Sequence, residues 1–320
     1  MSKPSFQTVL NALCDTSTAF PNRYLPHFSD LTPMDISMLL SQWPTLATKR
    51  KRTLLAKLVE LYQADTLLSF DALAIALLTD ADEQIRSDAL RLLVESDDTH
   101  ILPRLMDMAE NDPATDVRVH TIHVLGNYVE LGELEEIAAE AQHSVENTLL
   151  RVAHSENTDV QRAAIEAIGF SSRPEADALI QNAYSKHTPQ WVASALLAMG
   201  RSGNENWEEL VLTKLSDPND DVRLRAIQAA GELRIGSARQ FLLDLLEEEE
   251  DDGLFIATIW ALSQIGGEDV RVTIQTLLDQ AEEDEIIDFL EEAIDNLDLT
   301  DQMNSFDLLA LDPDDDLTEK

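Results

Sequence analysis

Residues 221–231 read Asp221-Val222-Arg223-Leu224-Arg225-Ala226-Ile227-Gln228-Ala229-Ala230-Gly231. Val222, Ala226, Ile227, Ala229 and Ala230 fall on one stripe of a helix with 3.6 residues per turn. The same pattern returns along the chain: an apolar opening residue, a small or apolar residue four on, and usually a small residue nine on. The openings are Ile85, Val117, Val160, Trp191, Val222, Leu254 and Ile286, and the ninth positions beyond them are 94, 126, 169, 200, 231, 263 and 295. Their intervals are 32, 43, 31, 31, 32 and 32 residues, which is the signature of a repeat architecture.

Each preceding half-unit is also apolar with helical period, as in Trp207, Leu210, Val211 and Leu215. One unit therefore reads as two antiparallel helices joined by a short turn. Asp116, Asp159 and Asp221 stand before the opening valines, where an acceptor side chain caps a helix. Pro174 and Pro218 suit helix starts. Gly126, Gly169, Gly200 and Gly231 sit toward the ends of the second helices, where a missing side chain permits a close neighbour or a terminal turn.

The triplets Asp116-Val117-Arg118 and Asp221-Val222-Arg223, with the apolar-Gly endings, resemble the HEAT-like repeat family of the short-repeat, phycobilisome-lyase type. The resemblance covers about residues 69 to 297. It implies an all-α fold, a right-handed α–α superhelix of about seven helix pairs. It also implies Asp–Arg ladders between repeats, matched in full by Asp116/Arg118 and Asp221/Arg223. Ile85-Arg86 lacks the Asp because Gln84 stands there, and Gln161 replaces the Arg in the third unit. The family specifies a fold and leaves the function open.

Outside the repeat, residues 1–29 read as a loosely structured N-terminal segment with a helix from Phe6 to Leu13. Residues 30–68 read as a helical N-terminal cap, with helices from Thr32-Pro33 to Trp43 and from Leu46 to Tyr62. The solenoid is expected over 69–299, with a longer unit at 127–169 whose additional residues extend its first helix or add a turn. Residues 300–320 mix Leu308, Leu309 and Leu311 with acids and read as an acidic, disordered tail. Lys49-Arg50-Lys51-Arg52 is the single basic run.

Composition restricts the function. The chain has 320 residues, with 61 acids against 23 Lys+Arg and a net charge of -38. Such a charge repels nucleic acids and anionic membranes. Apolar residues at 44% are too many for a wholly disordered acidic chain. There is no membrane-spanning run, and the first residues lack a signal-peptide pattern. The single Cys14 excludes an internal disulfide, and together these features favour the cytosol. No Gly-rich phosphate loop or nucleophile elbow occurs. The di-iron hydroxylases of this fold family carry His-Glu pairs, whereas none of the seven histidines is followed by Glu. His120 and His123 share a helical face but lack a third ligand. No catalytic, cofactor-binding or metal residue is assigned.

Counting from each opening residue, positions four, five and eight are expected to be buried, and positions three and six to face the concave side. The latter give a candidate protein-binding groove of Arg91, His120, His123, Leu197, Arg225, Gln228, Trp260 and Phe289. An outward aromatic on a rigid scaffold is a natural anchor for a partner. Trp43, Trp191 and Trp207 are assigned to the core or cap. The leading reading is a non-catalytic scaffold or adaptor whose partner is a protein or peptide, a basic one being permitted by the charge. The alternatives are an accessory or chaperone subunit for tetrapyrrole (bilin) attachment, which the family suggests, and an enzyme with an inter-repeat site.

Overall fold

The computed structural model describes residues 4–65, 67–248 and 251–310, among which there are seventeen α-helices and no strand. The fold is an all-α repeat solenoid, and the chain forms two compact units, Met1–Ser171 and Ser172–Lys320.

In the first unit, α1 (Phe6–Cys14), α2 (Pro33–Gln42) and α3 (Thr48–Ala64) form the cap. Three helix pairs follow: α4 (Asp71–Leu77) with α5 (Glu83–Arg91), α6 (Leu102–Asn111) with α7 (Thr115–Glu133), and α8 (Ala139–Val152) with α9 (Thr158–Ile168). The second unit holds four pairs: α10 (Pro174–Tyr184) with α11 (Pro189–Arg201), α12 (Glu208–Leu212) with α13 (Asp220–Glu232), α14 (Arg239–Glu248) with α15 (Asp252–Ile265), and α16 (Glu268–Gln280) with α17 (Asp284–Ala310). The seven second helices, α5 to α17, carry the seven opening residues read from the sequence. In the six from α5 to α15, positions four, five and eight are buried, as Ala226, Ile227 and Ala230 are in α13.

The N-terminal segment is more ordered than its prolines suggest. Phe28 is fully buried, and the rings of Phe6 and Phe20 meet it edge-on at 5.7 and 6.1 Å. Arg50 ties this segment to α3. Its guanidinium donates to the carbonyls of Ala12, Leu13, Asp15 and Thr18 at 2.8–3.0 Å, satisfying the open C-terminal end of α1. Arg52 forms a two-pronged pair with Asp82, and Lys51 lies 3.8 Å from Asp80. The basic run is thus largely engaged in holding the cap to itself and to the first repeat. Trp43, buried as expected, donates its indole N–H to Asp80 at 2.6 Å.

The turns correct the sequence reading by two residues. Asn157 and Asn219 are the caps of α9 and α13, accepting from Val160 and Val222 N–H at 3.1 Å, and Ala114 precedes α7 without a side-chain cap. The reason lies one step earlier. Asp80, Asp112, Ser155 and Asp217 each accept the backbone N–H two residues on, which fixes the turn and starts the helix early. Asp116, Asp159 and Asp221 then occupy the first turn, where the helix dipole favours a carboxylate.

The ladder shifts with them. Arg86, which seemed to lack its acid, makes a bidentate bond to Asp112 of the next turn at 2.8 and 2.9 Å and donates to Asp80 O. Arg118 reaches forward to Ser155 at 3.4 Å, where a hydroxyl replaces the carboxylate. In both of these links the acceptor is a turn residue, Asp112 or Ser155.

Two boundaries also differ. The additional residues of the long interval extend α7, the second helix of the preceding pair, to 19 residues. Tyr128 and Val129 keep it buried past Gly126, and the Tyr128 hydroxyl donates to Asp98 O at 3.1 Å. At the other end, α17 continues eleven residues beyond Leu299. Leu297 and Thr300 are buried, and Arg271 pairs with Asp298 and Asp301 at 2.6 and 2.8 Å across that expected boundary. The remainder of the expected tail, 311–320, lies outside the described residues.

Glycines at position nine set the spacing of the second helices. A Cβ on Gly126 would lie 3.2 Å from Ala167 Cα, and one on Gly200 would lie 3.1 Å from Ala229 Cα. On Gly231 it would lie 2.7 Å from Ala261 Cα and 2.9 Å from its Cβ. In each case the facing alanine is at position seven of the next second helix. Removing helical Gly ordinarily gains about 1 kcal/mol, but overpacking a tight seam costs about 1–3 kcal/mol. Gly231→Ala is therefore expected to lower the thermal unfolding midpoint. Gly236→Ala, with open space around it, is expected to leave it unchanged or raise it. Equal midpoints for the two variants would contradict the seam.

Candidate functional site

In the second unit α11, α13, α15 and α17 pack in succession, each against the next. Their shared face opens into a cleft of about 710 Å³. Leu197, Arg225, Gln228, Trp260 and Phe289, five of the residues chosen by helical position, all line it. Each is half-buried, so each retains solvent-facing area. Ile256, 41% exposed, stands at the lip. Arg225 donates to Gln228 Oε1 at 2.9 Å, one turn along α13, and makes no ion pair among the described residues.

The close seam refines which positions face outward. Position three lies in the seam when its residue is small: Ala163, Ser194 and Ala257 are buried, and so is Asp88. Position six supplies the outward row. The sequence reading stopped at position eight and missed Arg201, Glu232 and Gln264, which also line the cleft. All three are at position ten, one helical turn beyond position six, and continuing the same stripe would have found them. Arg201 and Glu232 both hold interactions with other groups.

Arg91, His120 and His123 belong to the first unit. Arg91 is exposed, with Nη1 3.9 Å from the buried carboxylate of Asp88. Burial raises the pKa of Asp88, opposed by the bond it accepts from Gln84 Nε2 at 3.0 Å. His120 Nδ1 lies 2.8 Å from Asp116 O and 3.0 Å from Ser87 Oγ. His123 is exposed, with Nε2 3.7 Å from Glu166 Oε2. The two imidazoles meet edge-to-face at 6.4 Å between centroids. Among the described residues no cluster of three His, Cys, Asp or Glu side chains is arranged to hold a metal ion.

Of the remaining tryptophans, Trp207 is buried as expected. Trp191 is half-buried beneath Lys186, whose Nζ is 3.0 Å from the ring centroid. Burial lowers the pKa of Lys186. Among the described residues no helix is long and apolar enough to cross a membrane.

Residues 208–298 match the family model of HEAT repeats, a stretch that lies within the HEAT-like region read from the sequence apart from its last residue and contains the Asp221-Val222-Arg223 triplet. No curated protein matches the chain in sequence. Among solved structures, the E. coli protein YibA is 18% identical with a TM-score of 0.42, over 93% of this chain and 98% of its own. The complex of CpcE and CpcF of phycocyanin lyase from Nostoc is 16% identical with a TM-score of 0.48, over 72% and 94%. Human deoxyhypusine hydroxylase is 15% identical with a TM-score of 0.35, over 81% and 95%.

Burial, the largest influence, lowers the pKa of His120 below its ordinary 6.5, opposed by the bond to Asp116 O. With the folded value depressed, the stability His120 contributes is present above the ordinary histidine range. It is lost as pH falls, because the unfolded chain takes up the proton first. Between pH 7.5 and 5.5 the thermal midpoint of the native protein is expected to fall more steeply than that of His120→Gln. Parallel slopes would contradict a half-buried His120 held neutral.

Proposed function

We propose that this protein is a non-catalytic scaffold that grips a segment of a protein partner in the cleft of its second unit. One observation carries the reading: five residues chosen from the third and sixth repeat positions, on the successive second helices α11, α13, α15 and α17, line one open cleft with a tryptophan in it. Such a surface suits a peptide or helix better than a small substrate. It is broad, it mixes apolar and polar groups, and among the described residues no metal cluster accompanies it. Trp260 is the anchor, with Leu197, Ile256 and Phe289 as its apolar surround. Arg225 and Gln228 supply hydrogen bonds at the wall. Arg91, His120 and His123, at the corresponding positions of the first unit, are assigned to contacts outside this anchor. The setting is the cytosol, where a free thiol such as Cys14 stays reduced.

A buried aromatic anchor commonly accounts for 2 kcal/mol or more of binding, about thirtyfold in affinity. The test places a photo-crosslinking amino acid at Leu197, or at Val272 on α16, which is 58% exposed and does not line the cleft. A partner captured from position 197 and not from 272 is expected, with capture falling about thirtyfold in the Trp260→Ala background. Equal capture from both positions, capture unaffected by Trp260→Ala, or none from 197 would overturn the proposal.

A further inference from the structure

The two walls of the cleft differ in charge. On the α13 side stands Arg225, while Glu232, two turns further along α13, and Arg201 on α11 both hold interactions with other groups, so Arg225 is the cation of that wall. On the α17 side, Glu285, Phe289 and Glu292 share one helical face at i, i+4 and i+7, and Phe289 and Glu292 line the cleft. Asp252 adjoins Gly253 at the cleft edge and lies one turn before Ile256 on α15. Glu285, Glu292 and Asp252 are exposed. Trp260, on the middle helix α15, separates the cationic wall from the anionic one.

Resting on the scaffold reading above, we infer that the cleft takes an extended peptide carrying opposite charges on either side of an apolar anchor. An acidic residue of the peptide meets Arg225, a bulky apolar residue meets Trp260 and Phe289, and a Lys or Arg meets Glu292 and Glu285. The small-residue seams keep neighbouring second helices close, about 8–10 Å between axes. From α13 across α15 to α17 is then about 16–20 Å. An extended segment in the polyproline II conformation rises about 3.1 Å per residue, covers that distance in about five to six steps, and with three residues per turn returns every third side chain to the same face. The pattern expected is acidic, two residues, apolar anchor, two residues, basic, read in either chain direction.

Local pairing is separable from the field of the whole molecule. The net charge of -38 favours any cationic peptide over distance, but at 0.15 M salt that field decays over about 8 Å. A charge seated against Arg225 or Glu292 is screened far less. The cleft therefore ranks a peptide with one charge of each sign above a peptide with two cations, against the ranking that net charge alone dictates.

The test is fluorescence anisotropy of four labelled heptapeptides on the full chain at 0.15 M salt. All have a central Trp, with flanks acidic and basic, basic and basic, acidic and acidic, or neutral. The mixed-charge peptide is expected to bind best, by about five- to tenfold over the dibasic one. Arg225→Glu, which makes both walls acidic, is expected to reverse the order in favour of the dibasic peptide. Arg225→Gln is expected to abolish only the preference for the peptide's acid. The fold of each variant is checked by circular dichroism and thermal midpoint. A dibasic peptide that binds best on the native chain, or an order unchanged by Arg225→Glu, overturns this inference. If the crosslinked partner is still captured from Leu197 and lost with Trp260→Ala, the scaffold reading survives that failure. If no peptide binds and position 197 captures nothing, both fail.

Discussion

The contact of a glycine on one second helix with an alanine on the next governs the geometry of this protein. Gly126 meets Ala167, Gly200 meets Ala229, and Gly231 meets Ala261, each glycine at position nine and each alanine at position seven. Without side chains in the seam, the helices approach to backbone contact and gain dispersion along their length. That approach buries small residues at position three, such as Ala163, Ser194 and Ala257, and turns larger ones and positions six and ten toward solvent. The row that lines the cleft is a consequence of which residues the seam has no room for. A larger residue at position nine would separate α13 from α15 and alter the cleft with it.

Polar side chains join pairs in the first unit without competing for that seam. Before α5, α7, α9 and α13 an acid or hydroxyl fixes the turn, and Arg86 and Arg118, each after an opening residue, reach the corresponding turn of the following pair. Arg86 with Asp112 is the most complete instance, the two side chains being nearly buried and joined by two bonds. Cutting one partner would leave the other charge without compensation in a dry site. Arg50 performs the equivalent task in the cap, where four carbonyls converge on one guanidinium.

Much of this was legible in the sequence, because burial with a 3.6-residue period is a local signal. The seven second helices fall on the seven openings, and the groove positions of the second unit converge on one cleft. Features that depend on tertiary partners were not legible. Whether Asp221 or Asn219 caps α13 depends on Asp217 fixing the turn first. Whether Gly126 ends α7 depends on the burial of Tyr128 and Val129 beyond it. Whether position three faces out depends on its size against the neighbouring helix, as His120 and Ala163 show. The continuation of α17 past Leu299 relies on Arg271, a residue on another helix. Composition gave the sign of the overall field but not the placement of Arg225 in the cleft of a strongly acidic unit.

In this account the first helices and turns build the frame, and the second helices of the second unit carry the recognition. Amide hydrogen exchange of the chain with and without its crosslinked partner tests that division most directly. Added protection is predicted on α11, α13, α15 and the N-terminal half of α17, with α12, α14 and α16 unchanged. Protection confined to α12, α14 and α16, or absent from the cleft helices, would contradict it.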